Sequence, residues 1–562
     1  MRPICLSALT LGVLITGAPG AAPAGDAPVP PLPSTPGLSS GFGEFRTAHF
    51  HAGLDYSTEQ VEGKEVRAVL DGWVERVRAS GVGYGRAVYL RLADGRTAVY
   101  GHLSRFAPKL DAWVAARQDS AGVYEQDLVP AEGEIAFRRG EVVAWSGQSG
   151  AGPPHLHFEL RTGDMNLNPL LHGFALPDRT PPTLAAVRIQ PGGARGHALS
   201  LPAKGVARAG EVRGPFRLLV STWDRADGRP NKLATYRLEA TLDGKAAFLA
   251  EIDSVSWDFA IEAERVYDYA STLAGSNTWR PLELLPTYRS GIVRRGPPVW
   301  ALAPGAHRFD FEARDEAGNR TSTALELTVL APDSTRAADS DTAGVRCGVD
   351  SLPCSLTVQS GGLEVTASLP AGSLYEPARV RGTAIAPAST GELIALGGAV
   401  RIDPPDLVLG SAMKLSGRDA GAAASALEPR GVFLRQTHSW SFLARVGADG
   451  TFSAGSRRLG AVAIFADTTP PRIVPAGSYR WRASATGAAF AARIADAGAG
   501  LAPADQSIFL DGRRVPAEYD PESGRLTWRP RARPASGRHE LRIDAVDRLG
   551  NRATRVAALE VD

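Results

Sequence analysis

Ten histidines occur in the 562 residues, and six of them lie between positions 49 and 172. Four of the six sit in patterned contexts. His51-Ala52-Gly53-Leu54-Asp55 sets an imidazole and a carboxylate at an even spacing, which puts both on one face of an extended chain. Tyr100-Gly101-His102-Leu103 follows a strand-like run. In His155-Leu156-His157-Phe158-Glu159, polar and apolar residues alternate, so on a strand the two histidines share one face and Leu156 and Phe158 enter the core on the other. These residue types suit a divalent metal. Catalytic Zn²⁺ takes three protein ligands from His, Asp or Glu and keeps a fourth position for water. His51, Asp55 and one member of the His155/His157 pair supply such a set. A metal there lowers the pKa of its water to about 7 and polarises a carbonyl. His102 and the other member of the pair are then available as general base and as stabiliser of an oxyanion. Each motif alone is commonplace and usually structural; the three together, in one short segment, point to a metal site.

Such a cluster needs a rigid frame. Runs over 72–77, 87–92, 97–100, 142–146 and 155–160 alternate or carry β-formers between glycine signals, and read as short strands. The run 107–118, with Leu110 and Val114, reads as one short helix. The block opens at Gly41 and closes near Asn168-Pro169-Leu170.

Phe50-His51-x-Gly53-x-Asp55, Gly72-x-Val74, Gly83-Tyr84-Gly85, Tyr100-Gly101-His102-Leu103, Gly140-x-Val142 and His155-Leu156-His157-Phe158-Glu159 occur in the order seen in LytM/lysostaphin-type zinc metallopeptidases. Residues 41–170 resemble that family. The resemblance implies a small antiparallel β domain with a metal in a groove. It implies hydrolysis of peptide bonds in bacterial cell-wall peptidoglycan, commonly the stem-peptide crosslinks. It also implies one Zn²⁺ per chain, held by His51, Asp55 and His157, with His155 as the base and His102 as the second catalytic histidine. His49 has the strand parity of His51, but the family places its ligand two residues before glycine, which leaves His49 as a groove-lining residue. Glu159 shares the face of His157 and reads either as a group that orients a ligand or as an ordinary strand carboxylate. Two departures bear on groove shape. The turn from Gly147 to Pro154 is a residue shorter than the family pattern, with Pro153 at a flexible position. The stretch from Arg105 to Arg139 is longer than in minimal members and is a candidate groove wall.

The remaining chain carries no catalytic spacing; His197, His307, His438 and His539 stand alone. It does carry an internal repeat. Gly305-x-His307, Ala313-x-Asp315 and Gly318-Asn319-Arg320 recur as Gly537-x-His539, Ala545-x-Asp547 and Gly550-Asn551-Arg552, every pair offset by 232 positions. Each copy reads as a late strand followed by a hairpin turn in a β-sandwich. Thr180-Pro181-Pro182 and Thr469-Pro470-Pro471 punctuate the chain before the two copies. The expected fold is therefore all-β: a small antiparallel LytM-type domain over 41–175, then about three β-sandwich units. These cover 176–335, with an insertion around 255–300, then 336–466, and then an immunoglobulin-like unit over 467–562.

Arg2, the apolar run 4–15 and Ala22-Pro23-Ala24 read as a secretory signal over 1–24, and the Pro-rich run 25–40 as a stiff linker. The signal implies an exported protein of the periplasm or cell envelope, touching membrane only in transit. With Cys5 removed, Cys347 and Cys354 form an even pair that reads as one disulfide. Apolar residues at 44% and charged residues at 22% exclude a mostly disordered chain and a multi-span membrane protein. A net charge of +2 provides no field for nucleic acid. The partners this leaves are peptidoglycan stem peptides and, through the β tail, an envelope protein. The competing expectations are a non-catalytic activator of other wall hydrolases and a wall-binding scaffold.

Overall fold

The computed structural model describes residues 27–33, 37–192, 196–331, 344–349, 353–420, 429–477, 479–482 and 489–562. The expected signal segment 1–24 lies outside the described residues. Within them the protein is all-β apart from a few short helices.

The N-terminal unit is built from β1 (Leu38–Ser40), β2 (Phe45–Arg46), β3 (His49–Phe50), β4 (Leu54–Ser57), β5 (Glu65–Arg67), β6 (Gly72–Ala79), β7 (Arg86–Leu92) and β8 (Thr97–Phe106). Helix α1 (Pro108–Ala121) follows, then β9 (Gln126–Leu128), β10 (Ala136–Phe137), β11 (Val142–Ser146), β12 (His155–Thr162) and β13 (Met165–Leu167). The main sheet runs β1-β4-β12-β8-β7-β6-β10 and is antiparallel. Period-two alternation sets its faces. Leu156, Phe158 and Leu160 of β12 are wholly buried, as are Leu54 of β4 and Ala98 and Tyr100 of β8. Phe158 lies opposite Leu54 on one side and Tyr100 on the other. That apolar face fixes the register, because a one-residue slip would turn Phe158 to solvent and His157 into the core. On the opposite face the same register aligns Asp55, His157 and Gly101 in one row across three strands.

The Pro-rich run does more than space the chain. Leu32 and Leu38 are buried in the core, Val29 N donates to Val69 O (2.9 Å), and β1 pairs with β4. The expected helix forms as α1, starting one residue later and ending three residues later than read, with Leu110 and Val114 buried.

Beyond β13 the described chain forms paired sheets over 183–330, 345–466 and 472–561. The first of these shares one hydrophobic core with the N-terminal unit, running from Leu32 to Val329. Its insertion is stapled to the N-terminal unit. Strand Ser254–Ser256 pairs with β13, Ala48 N donates to Glu264 (2.9 Å), and Tyr267 donates to Gly43 O (2.8 Å). The last unit folds back on the first. Glu518 pairs with Arg86 (3.1 Å) and accepts from Tyr124 (3.1 Å), and Arg531 pairs with Asp119 (2.8 Å). The long stretch after β8 therefore meets the C-terminal unit; among the described residues no hydrogen bond or ion pair joins it to the histidine cluster. Cys347 and Cys354 are joined by a disulfide.

The repeat extends past its sequence motif. His307 lies between Asp243 (Nδ1, 2.8 Å) and Ala303 O (Nε2, 2.8 Å), and His539 between Asp511 (2.6 Å) and Ala535 O (2.7 Å). Both histidines brace a strand to a neighbouring turn.

The core row predicts its own cost of removal. Phe158→Ala should lower stability by about 3–5 kcal/mol through lost burial and a residual cavity, read as a shift of the urea unfolding midpoint. An unchanged midpoint would show that Phe158 does not set the register.

Candidate metal centre

The register places Asp55 on β4 directly opposite His157 on β12. His51 arrives from the turn between β3 and β4. Gly53 permits that turn to lie flat on the sheet: a Cβ there would sit 2.4 Å from the carbonyl oxygen of Phe158. This gives the His-x-Gly-x-Asp spacing a steric reason. His51 Nε2, Asp55 Oδ1 and His157 Nδ1 converge, with separations of 3.1 Å (His51–Asp55), 2.8 Å (Asp55–His157) and 3.1 Å (His51–His157).

The far side of each imidazole is tied down. His51 Nδ1–H donates to Gly41 O (2.6 Å), and His157 Nε2–H donates to Glu159 (2.8 Å). His102 Nδ1–H donates to Ser149 O (2.9 Å), and His155 Nδ1–H donates to Pro153 O (2.7 Å). A ring nitrogen that donates to a fixed acceptor leaves the other nitrogen as the coordinating or basic one. Thus His51 and His102 present Nε2, His155 presents Nε2, and His157 presents Nδ1. His155 Nε2 lies 3.6 Å from Asp55 Oδ1, and its ring centroid is 4.5 Å from that of His102.

Burial sharpens these roles. His51 and His157 are 6% and 4% exposed, whereas the side chains of Asp55 and His155 keep 13% each and mark the open side. Burial opposes ionisation of Asp55, yet the imidazoles of His51 and His157 hold its carboxyl well below the usual range. Burial likewise opposes charge on His157, but hydrogen bonds to Asp55 and Glu159 outweigh it and push its pKa up to about 9. Burial, joined by the charges of His155 and His157, pushes His102 down to about 3, so its imidazole is neutral. His102 also holds a left-handed backbone (φ 57°), a conformation a side-chain-bearing residue adopts at a cost. The row ends there, and the imidazole is turned over the site.

The donor set fits a small divalent cation. Two imidazole nitrogens and a carboxylate oxygen face one point, and all three lie within 4.8 Å of one another. Their edges approach the roughly 3.3 Å edges of a tetrahedron with bonds of about 2.0–2.1 Å. Positive charge at that point satisfies all three lone pairs at once; a proton and a divalent cation compete for it.

Glu159 fixes the ring of His157. It is wholly buried, accepts from His157 and from Tyr84 OH, and pairs with Arg161 Nε (2.6 Å). Sequence reasoning gave Tyr84 and Arg161 no role; the signals available were the Gly83-Tyr84-Gly85 turn and the alternation that puts Arg161 on the face of Glu159. His49 stands outside the converging set. Its Nδ1 bonds to Thr47 O (3.0 Å), and its ring lies 5.9 Å from that of Trp257, which comes from the insertion.

Residues 49–129 match the family model described as Peptidase family M23. Over 159 residues the chain is 33% identical to the DD-carboxypeptidase/endopeptidase Mpg of Neisseria meningitidis serogroup B, covering 27% of this chain and 31% of that protein. It is 33% identical over 121 residues to an uncharacterized metalloprotease of Haemophilus influenzae, covering 21% of this chain and 20% of that protein. Among solved structures, the catalytic domain of lysostaphin from Staphylococcus simulans is 22% identical with a TM-score of 0.18, over 23% of this chain and 86% of that one. The catalytic domain of the prophage-encoded M23 protein EnpA from Enterococcus faecalis is 26% identical with a TM-score of 0.16, over 25% and 85%. The chain thus spans under a third of the length of these curated relatives.

Glu159→Gln should leave the fold intact and weaken zinc binding about 10–100-fold, because the amide no longer fixes His157 as a charged acceptor does. Competition against a coloured chelator, with circular dichroism as the folding control, reads this. Undiminished affinity would return Glu159 to a purely structural role.

Proposed function

We propose, from the premise that the N-terminal unit is an M23 peptidase domain of the LytM/lysostaphin type, that the protein is a zinc-dependent endopeptidase hydrolysing the peptide crosslinks of bacterial peptidoglycan. The observation that carries this reading is the convergence of His51 Nε2, Asp55 Oδ1 and His157 Nδ1 with two further imidazoles poised beside them. The relative named DD-carboxypeptidase/endopeptidase supports a stem-peptide substrate. The signal-like leader, Arg2 with the apolar run 4–15, supports action in the periplasm or cell envelope.

Held by His51, Asp55 and His157, Zn²⁺ would polarise the scissile carbonyl and make a water nucleophilic near neutral pH. The chain's own groups do the rest. His155 lies on the open side with Nδ1–H tied to Pro153 O and Nε2 turned to the site, and there Nε2 accepts the proton of the attacking water. The same nitrogen returns that proton to the departing amine. His102, neutral at rest with its proton on Nδ1, would contact the carbonyl oxygen as negative charge develops only by first taking up a proton at Nε2. Its tie to Ser149 and its left-handed backbone keep the ring from swinging away. Trp257 and His49 form one wall of the groove that receives the peptide.

The test is digestion of purified peptidoglycan by the full chain, with and without a chelator, followed by identification of the fragments. Chelator-sensitive release of cleaved stem peptides is expected. His51→Ala and His157→Ala should lose both zinc and hydrolysis. His155→Ala should keep zinc and lose about 10²–10⁴ in turnover. Wild-type turnover in His155→Ala would remove it from the chemistry, and chelator-resistant hydrolysis would overturn the metal reading.

A further inference from the structure

Far from the histidines, the two copies of the internal repeat each gather three aspartates at the same strand ends. In the first copy, Asp178 precedes strand Thr183–Pro191 by five residues, Asp224 directly follows strand Phe216–Trp223, and Asp315 directly follows strand Gly305–Arg314. In the second copy, Asp467 precedes strand Arg472–Pro475 by five residues, Asp496 directly follows Phe490–Ala495, and Asp547 directly follows Gly537–Val546. In each copy the three residues offer oxygens within 4.8 Å of one another.

The supporting bonds are duplicated as well. Asn319 Nδ2 donates to Asp315 (2.8 Å) and to Asp178 O (3.1 Å); Asn551 Nδ2 donates to Asp547 (2.6 Å) and to Asp467 O (2.8 Å). The Asp-x-x-Gly-Asn turn takes its shape from Gly318 and Gly550, both left-handed (φ 90° and 95°). In the second copy Gly498 leaves room for Asp467, since a Cβ there would lie 1.9 Å from its Oδ2.

These bonds leave charge unmatched. Asp224 is only 4% exposed and offers one of the converging oxygens, yet its Oδ1 has no hydrogen-bond partner. Asp496 Oδ1, the corresponding position in the second copy, is also buried without a partner. Among the described residues, none of the six aspartates is ion-paired to a Lys, Arg or His; Arg179, beside Asp178, pairs instead with Asp227 (3.5 Å). Carboxylates gathered this closely repel one another, and a cation among them would relieve that repulsion as well as the unpartnered oxygens. Oxygen-only donors, with no imidazole or thiolate, select a hard ion that accepts a flexible shell of carboxylates, carbonyls and water.

We propose that Asp178, Asp224 and Asp315, and separately Asp467, Asp496 and Asp547, form two equivalent Ca²⁺ sites, one in each repeat copy. The first lies at the seam with the N-terminal unit: Gly37, Leu38, Asp178, Asp224 and Asp315 border one cavity. Beside it Asn168 reaches from the N-terminal unit to Glu316 (2.8 Å). Calcium there clamps the end of the first sandwich next to the strand that edges the histidine sheet.

Equilibrium dialysis of the zinc-loaded full chain against CaCl₂ should find two Ca²⁺ per chain with Kd of order 0.1–1 mM, as for extracellular modules with few carboxylates. MgCl₂ should compete poorly, because Mg²⁺ dehydrates reluctantly. Asp224→Asn and Asp496→Asn should each remove one equivalent, and the double variant both. Each removes a like charge while keeping shape, so the calcium-free melting temperature should hold or rise while its calcium-dependent increase falls. Zinc content should stay at one per chain throughout, which separates this result from any failure of the peptidase reading. No calcium bound by the wild type at about 10 mM, or two equivalents still bound by the double variant, would overturn the proposal.

Discussion

The site depends on one constraint: the outward nitrogen of each of four imidazoles is fixed by an acceptor that does not move. Gly41 O, Ser149 O and Pro153 O hold His51, His102 and His155, and the buried Glu159 holds His157. An imidazole free to rotate or change tautomer would present a donor as readily as a lone pair. Here every inward nitrogen has its identity set by the opposite side of its ring. Three of the four acceptors are backbone carbonyls, so the folded chain itself sets these tautomers. The exception, Glu159, is in turn held by Tyr84 and Arg161.

The sheet carries that constraint. Burial of Leu156, Phe158 and Leu160 on one face of β12 determines which residues appear on the other. His157 then faces Asp55 across one ladder and Gly101 across the next. Gly101 is small where the imidazole of His157 needs space, a Cβ there lying 3.3 Å from that residue's own Cβ. The left-handed step at His102 ends the row and brings a second imidazole over it. Hydrophobic packing on one face thereby positions polar chemistry on the other.

Much of this was legible in the sequence. The alternation in His155–Glu159, the even spacing of His51 and Asp55 and the glycines beside them all report faces of strands, and faces are what period two encodes. The preference for His157 over His155 came from family resemblance alone; in the β12–β4 ladder His157 lies opposite Asp55, whereas His155, the first residue of β12, lies opposite Ser57. What could not be read was pairing between distant segments. Tyr84 reaches Glu159 only because the 81–85 loop lies over β12, and Trp257 reaches His49 only because the insertion pairs with β13. The return of the C-terminal unit to Arg86 and Tyr124 left no local pattern either. The repeat turns Asp315 and Asp547 were visible through Asp-x-x-Gly-Asn, whereas Asp224 and Asp496 are single residues after a strand with no motif around them.

The central claim is that one zinc ion is held by His51 Nε2, Asp55 Oδ1 and His157 Nδ1. Anomalous diffraction at the zinc edge, on crystals of the zinc-loaded chain, addresses it most directly. The account predicts a single strong peak at about 2.0–2.1 Å from each of those three atoms, with His102 and His155 beside it and uncoordinated. A peak bound to other residues, or none at that point in a chain shown to contain zinc, would contradict it.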